Sequence, residues 1–489
     1  MAKRVAIIDI GSNSLRMVVY ERSSRFGFHI LHEAKSRARI SERAYLNDHY
    51  LQNEPMRRTL EALSEFRSIA RSFKATKTLC IATSALRDAP NRSAFRSLIK
   101  AKLGINIKII DGEMESYLAS LACINLLPTQ ESALMVDLGG GSCEFAMLSG
   151  KEISQNISLQ LGSVRIKELF LDKNDLKGAT AFIDKELEKV EFMGVKSIVG
   201  VGGTFRAITK LIQQNSSYPL RKIHAFEMNS NEFKECAKFI LQASSASELK
   251  SMGIASSRLD VIQAGSLILL RILKKFKAKQ IISSRAGVRE GLFLKDLLRN
   301  SKHRFPHNFN PSIKNIMDRF VSENAYANMQ SRVAKDLFDL FAKNLKLNDT
   351  LRSPLSTAAK LLASGSSVDY YTQNTHSRNI LLDLLEYGFT HKERLLIATL
   401  ASIDKKGELS YTEAESKLLP KEEILKKLAT LLLLSQALLA HRPRSIDFEL
   451  KSSRSTLIVE SKNSMYLAKE QVLRANIKFV EVEFKTSAP

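Results

Sequence analysis

The stretch VAIIDIGSNSLRMVVY, residues 5–20, is a β-branched run, a polar glycine turn from Gly11 to Ser14, and a second β-branched run. That order predicts a β-hairpin with a flexible, polar tip. About 130 residues later the theme returns as ALMVDLGGGSCEFAML, residues 133–148, with three glycines at the turn. A strand, glycine turn and strand occurring twice suggest two related domains facing each other across a cleft. Around the hairpins the patterning predicts helices over 55–73 and 93–103, strands over 78–82, 105–110 and 197–199, and a helix from Phe205. Short strands alternating with helices over the first three hundred residues are the signature of an α/β architecture.

At 489 residues the chain is expected to form about three units of roughly 100 to 200 residues each. The expected divisions are 1–125, 126–300 and 301–489. Beyond Asn300 the texture changes: Pro306 and Pro311 punctuate a loop, and Ile313 to about Leu439 is almost continuously helical in pattern. From Ile446 onward, strand-like runs over 455–459 and 477–484 flank a helical segment over 466–475, giving a small α+β cap.

With 44% apolar and 26% charged residues, the composition is that of a globular protein. Cys80, Cys123, Cys143 and Cys236 are far apart and form no C-x-x-C pair, which argues against a zinc ribbon or a disulfide framework and fits a reducing cytoplasm. The opening residues run straight into the first strand, so a secretory signal is not expected. The apolar run from Leu428 to Ala440 is interrupted by Thr430, Ser435 and Gln436 and falls short of the roughly twenty residues a membrane span needs. It reads as a buried helix. A formal charge of +23 favours an anionic partner. Basic clusters such as 271–279 read as solvated helix faces, so no nucleic-acid site is assigned.

Three turns share small or hydroxylated residues that leave backbone N–H groups able to face an anion. In the first, Gly11, Ser12, Asn13 and Ser14 offer close approach and donors, and Asp9 at the strand end could hold a cation; alone, such a hairpin tip is usually just a turn. In the second, Gly139, Gly140, Gly141 and Ser142 lie between Asp137 and Glu144. Three consecutive glycines cost conformational entropy that a structural turn rarely requires, which points to ligand contact. In the third, Gly202, Gly203 and Thr204 open a helix whose N-terminus could face an anion, although close helix–strand packing explains the glycines almost as well.

In order, the elements are DIGSNS (9–14), TSALR (83–87), DGEME (111–115), DLGGGSCE (137–144), GGT (202–204) and GVREG (287–291). This series, covering nearly all of residues 1 to about 300, resembles the exopolyphosphatase / guanosine pentaphosphate phosphohydrolase (Ppx/GppA) family. The resemblance implies a fold similar to actin and sugar kinases: duplicated ribonuclease-H-like domains around a phosphate cleft, then a mostly helical HD-like domain. It also implies roles. Glu115, after a strand and at a helix start, matches the family's catalytic glutamate, a base that orients water in line with a phosphoanhydride bond. Arg87 matches an arginine that clamps a phosphate, the alternative being an ion pair with Asp88 or Glu113. Asp9, Asp137 and Glu144 could position Mg²⁺ or its waters. Where the family usually has two adjacent acids, this chain has Met114 before Glu115. Cys143, where threonine is common, reads as a small buried residue. The stretch matching the helical domain's metal motif, residues 358–365, has no acid or histidine and leaves His376 almost alone, so neither metal nor catalysis is expected there; a basic surface or a homodimer contact is.

The expected activity is release of orthophosphate from inorganic polyphosphate or from the 5′ end of guanosine pentaphosphate. Two rivals stand beside it: a kinase of the same superfold, against which a glutamate base in the first domain argues, and a non-catalytic sensor of guanosine tetra- and pentaphosphate.

Overall fold

The computed structural model describes residues 3–475 and 477–486, and every count refers to these. The chain divides into two compact units, Met1–Phe309 and Asn310–Pro489. The break therefore falls at the loop between Pro306 and Pro311.

The first unit opens with β1 (Arg4–Ile10), β2 (Leu15–Arg22), β3 (Phe28–Ser36), α1 (Asn53–Ser72), β4 (Lys77–Ala82), α2 (Ser84–Asp88), α3 (Arg92–Leu103), β5 (Ile107–Ile109) and α4 (Gly112–Leu126). It continues with β6 (Gln130–Leu138), β7 (Cys143–Gly150), β8 (Glu152–Leu159), α5 (Ser163–Leu169), α6 (Leu176–Glu188), β9 (Ser197–Gly202) and α7 (Gly203–Asn215). After these come β10 (Phe226–Asn229), α8 (Ser230–Gln242), α9 (Ala246–Ser251), α10 (Ile262–Phe276), β11 (Gln280–Ser283) and α11 (Val288–Leu297).

The strands form two mixed sheets, ordered β3-β2-β1-β4-β5 and β10-β11-β9-β6-β7-β8. Read from the β8 edge, the second sheet repeats the first: an antiparallel meander of three strands, then two strands added in parallel. The duplication expected from the two hairpins is thus a duplication of whole sheets, the actin-like fold. Corresponding registers place Asp9 opposite Arg16 and Asp137 opposite Glu144.

Two helices tie the halves together. α4 is buried nearly all round, as a helix apolar on every side must be. Its Ala119, Leu121 and Cys123 pack with Ala133, Met135, Ala146 and Leu148 of the second sheet, and Ser116 Oγ donates to the Phe145 carbonyl at 3.0 Å. So α4, though it precedes the expected division at 125, belongs by packing to the second sheet. α11 crosses the other way: Phe293 stacks on Tyr20 with centroids 4.1 Å apart, and Tyr20 Oη donates to Glu290 Oε1 at 3.2 Å. Exchanging helices in this way buries apolar surface between the halves and leaves their facing strand ends as the cleft.

The second unit holds α12 (Pro311–Phe320), α13 (Asn324–Phe341), α14 (Arg352–Leu361), α15 (Gln373–Leu384), α16 (His391–Ala401), α17 (Glu413–Ser416) and α18 (Glu422–Leu438). It ends in β12 (Phe448–Ser453), β13 (Thr456–Ser461), α19 (Tyr466–Arg474) and β14 (Glu481–Thr486), whose strands form one sheet ordered β12-β13-β14. The apolar run from Leu428 is core: Leu428, Leu431, Leu432, Leu434 and Leu438 are fully buried. Among the described residues no helix is long and apolar enough to cross a membrane. The four cysteines are free, and Cys143 is buried.

Candidate active site

The two hairpin tips meet. A Cβ on Gly140 would stand 3.1 Å from Ser12 Cβ and 3.3 Å from the Asn13 amide nitrogen. On Gly141 it would stand 2.3 to 2.7 Å from the hydroxyls of Tyr45, Ser84 and Ser12. Glycine is required here by close approach. In the second tip, Ser163 and Val164 amides donate to the Gly139 and Gly140 carbonyls at 3.1 and 2.8 Å, and Arg165 Nε donates to the Gly141 carbonyl at 3.0 Å. A trans peptide holds N–H antiparallel to C=O. The amides of Gly140, Gly141 and Ser142 therefore point away from α5.

Both tips line one cavity of about 140 Å³, together with Asp9, Glu115, Asp137, Glu144, Gly202 and Gly203. That is well under the roughly 300 to 1,000 Å³ that encloses a whole small-molecule ligand, and suits the end group of a longer one. Gly202 itself adopts a positive φ of 99°.

Glu115 lies in the first turn of α4, where Asp111 caps the helix by accepting from the Met114 amide. Its side chain is 10% exposed, and Arg87 Nη1 donates to Glu115 Oε2 at 3.0 Å. Three expectations change here. Arg87 is not among the cavity-lining residues; it stands behind Glu115 and holds that carboxylate rather than facing the cavity, and of the two expected ion-pair partners Asp88 is present, 3.7 Å from its Nε. Thr204 also lies outside the lining: it is buried, with its side chain against Gly265 of α10. Being on the second residue of α7, it turns toward the neighbouring helix while Gly202 and Gly203 face the cavity. The third concerns the metal set. Among the described residues no three Asp, Glu, His or Cys side chains come together as a ligand group, so Asp9, Asp137 and Glu144 do not form a three-carboxylate cage. Glu144 instead accepts from Ser158 Oγ at 2.9 Å. Met114 lies outside the lining too, its sulfur 3.3 Å from Lys295 Nζ.

The profile of the Ppx/GppA phosphatase family matches residues 18–300, and that family's domain III matches residues 310–487. The chain belongs to the Ppx/GppA phosphatase family. Among solved structures, it is similar to the Ppx/GppA family member of Aquifex aeolicus, at 29% identity and TM-score 0.53 over 62% of this chain and 99% of that one. An exopolyphosphatase from Cytophaga hutchinsonii shares the fold at 22% identity and TM-score 0.55, over 62% of this chain and 100% of that one. A curated relative, a bifunctional 3-dehydroquinate synthase/phosphatase of Fusobacterium nucleatum, is 30% identical over 298 residues. The match covers 57% of this chain and only 44% of that larger protein.

In this Ppx/GppA chain the cavity is lined by charges of both signs. Five carboxylates line it, Asp9, Glu115, Asp137, Glu144 and Glu290, and so do five arginines, Arg16, Arg206, Arg258, Arg285 and Arg289. Burial, then the Glu144 charge, pushes Glu115 well above the ordinary carboxylate range, while Arg87 pulls it back. Burial and Asp137 push Glu144 up to about 8, and burial raises Asp137 to about 6 against the pull of Arg206. Asp9 is raised chiefly by burial, and its buried Oδ1 has no hydrogen-bond partner. Among the arginines, burial and then Arg16 press Arg206 down to about 9 and Arg258 to about 10. Arg16 is lowered by burial and Arg289. Glu290 differs: it accepts from the Gly287 amide at 2.8 Å and from Tyr20, so the GVREG motif fastens α11 to β2.

Crowded carboxylates beside crowded guanidiniums could hold a cation next to a polyanion. The orphaned Asp9 oxygen and the raised Asp137 fit Mg²⁺, which needs one or two protein carboxylates and takes water and phosphate for the rest. Reading by sequence missed the arginines. The available signals were a charged residue, Arg16, within the apolar run 15–20 that opens β2, Arg206 one turn into the helix after Gly202, and Arg289 within GVREG.

Proposed function

We propose that the chain hydrolyses terminal phosphoanhydride bonds, releasing orthophosphate from inorganic polyphosphate, from the 5′ end of guanosine pentaphosphate, or from both. One observation carries this reading: the buried Glu115 carboxylate opens into the same cavity as both glycine tips and the arginine cluster. A terminal phosphoryl group between the tips would accept from the amides of Gly140, Gly141 and Ser142 and from the hydroxyls of Ser12 and Ser14. Glu115, with its raised proton affinity, would take a proton from an attacking water in line with the bond to be broken. Arg16, Arg206 and Arg258 would hold the following phosphates. Mg²⁺ held by Asp9 and Asp137 would neutralise charge on the phosphoryl oxygens. A base on α4 and a polyanion site, with water as the acceptor, distinguish this from a kinase.

The test is phosphate release from polyphosphate and from guanosine pentaphosphate, with Mg²⁺ and with chelator, by the wild type and Glu115→Gln. Loss of about two to four orders of magnitude in the variant is the expected size for a positioned base. Equal release by both proteins would sink the assignment. Tight binding without release by either would establish a sensor.

A further inference from the structure

Behind the cavity runs a line of charge that neither the tips nor the base account for. Glu115 Oε2 accepts from Arg87 Nη1 at 3.0 Å, and Arg87 Nε lies 3.7 Å from Asp88 Oδ1. Asp88 Oδ2 accepts from Arg165 Nη2 at 2.9 Å, and Arg165 Nε donates to the Gly141 carbonyl at 3.0 Å. Arg165 is 3% exposed. Its third nitrogen donates to Gln160 Oε1 at 3.2 Å, and the guanidinium plane lies over the Tyr45 ring, 4.5 Å from its centroid. Arg87 and Asp88 end α2 in the first sheet's half, while Arg165 lies on α5 in the second.

A buried guanidinium with every nitrogen engaged is rigid, and the geometry of its fork fixes whatever it holds. What Arg165 holds on one side is the Gly141 carbonyl, hence the direction of the Ser142 amide in the same peptide unit. On the other side it holds Asp88, which shares Arg87 with Glu115. We propose that Asp88 and Arg165 are positioning residues, members of an unbroken ionic relay that runs from the base on α4 through Arg87 and Asp88 of the first half and back to the phosphate-binding tip of the second, keeping base and tip in a single arrangement braced by the first half. The catalytic consequence rests on the hydrolase reading; the mechanical one does not. Opening the halves breaks both crossings, Arg87–Glu115 and Asp88–Arg165, so the base and the tip's amides lose their common brace together. Side chains that act as such a unit are non-additive on mutation.

The experiment is a double-mutant cycle of Asp88→Asn, Arg165→Gln and the pair, read by steady-state phosphate release and by hydrogen exchange over residues 136–145. Each single variant is expected to lower kcat about tenfold or more with KM within about threefold, and the double variant to be no worse than the worse single. Losses that multiply, KM rising alone, or kcat unchanged in folded variants would overturn the relay. Exchange judges it without turnover. Lost protection of the second tip in both single variants supports the relay even for a chain that releases no phosphate, which counts against the hydrolase reading alone. Unchanged protection overturns it. Arg165→Lys, which keeps the charge but cannot bridge Asp88 and Gly141, replaces Arg165→Gln in the cycle if that variant does not fold.

Discussion

Replacing Arg206 with methionine should move the ligand-free and liganded protein in opposite directions. Burial and the charges of Arg16, Arg289 and Arg258 lower Arg206 from the ordinary arginine range to about 9. The sign is that of a base whose folded value lies below its unfolded one. The cost is fully present at every pH below about 9, neutral pH included, and is relieved only as the pH rises above that toward the ordinary arginine range. At about 1.36 kcal/mol per unit the upper bound is about 5 kcal/mol. Arg206 keeps intermediate exposure because it faces the cavity, and screening there takes off about half. Loss of the bond from Arg206 Nε to the Gly202 carbonyl, 3.0 Å, costs about 1 kcal/mol. Ligand-free Arg206→Met is therefore expected to gain about 1 to 2 kcal/mol, or a few degrees. A polyanion reverses the order. At one hundred times its Kd, tripolyphosphate stabilises the wild type by about 2.7 kcal/mol. The variant, having lost a charge-assisted contact worth about 2 to 5 kcal/mol, should gain little at the same concentration. Thermal unfolding of both proteins with and without tripolyphosphate reads all four states. A ligand-free variant less stable than wild type by more than about 1 kcal/mol, or equal stabilisation of both by tripolyphosphate, would refute the idea of arginines crowded for an anion.

Activity should fall as the pH drops through the raised Glu115 range, because the base must be ionised; Glu144→Gln removes the second cause of that rise and should move the acid limb of kcat to lower pH. A limb that stays put or moves upward would break the coupling between the two carboxylates. Met114→Glu should pair with Lys295, whose Nζ lies 3.3 Å from the present sulfur, adding about 0.2 to 1 kcal/mol of stability in urea unfolding while kcat stays within about threefold. Thr204→Val should likewise leave KM and kcat within about threefold, since the side chain faces Gly265, the usual tolerance for a substitution away from the reacting groups; a tenfold rise in KM would return Thr204 to the cavity.

The elements legible in the sequence were those whose patterns are local. Both hairpins were, because β1, β2, β6 and β7 are nearly continuous apolar runs inside their sheets. Of the strands that escaped, β3, β8, β10 and β12 are edge strands with many polar, partly exposed residues; an edge needs only one paired side and one apolar face, so its sequence carries little β signal. The fifth, β11, is interior but only four residues long, too short for a pattern of its own. Chain order also misled. Residues 112–126 precede the second hairpin and so were assigned to the first domain, whereas packing gives α4 to the second sheet. Nothing in its fifteen residues says which sheet will cover an all-round apolar helix.

The site was half legible for a related reason. Turn chemistry announces itself in glycine and serine, and the tips were found by it, but the inference drawn from the three glycines was incomplete. Their small size at positions 140 and 141 is explained by the opposite tip, which a Cβ would strike, and needs no ligand. Glycine therefore reported closeness, and closeness of two N–H-bearing turns is what creates room for an anion between charges of opposite sign. The arginines that complete that room come from β2, α7, the loop before α10, the loop after β11 and the start of α11, and no window of sequence contains more than one of the three most strongly opposed, Arg16, Arg206 and Arg258. Each alone is an ordinary basic residue in a chain of charge +23. Only their mutual repulsion marks them as a set, and repulsion is a property of distance, which the fold supplies.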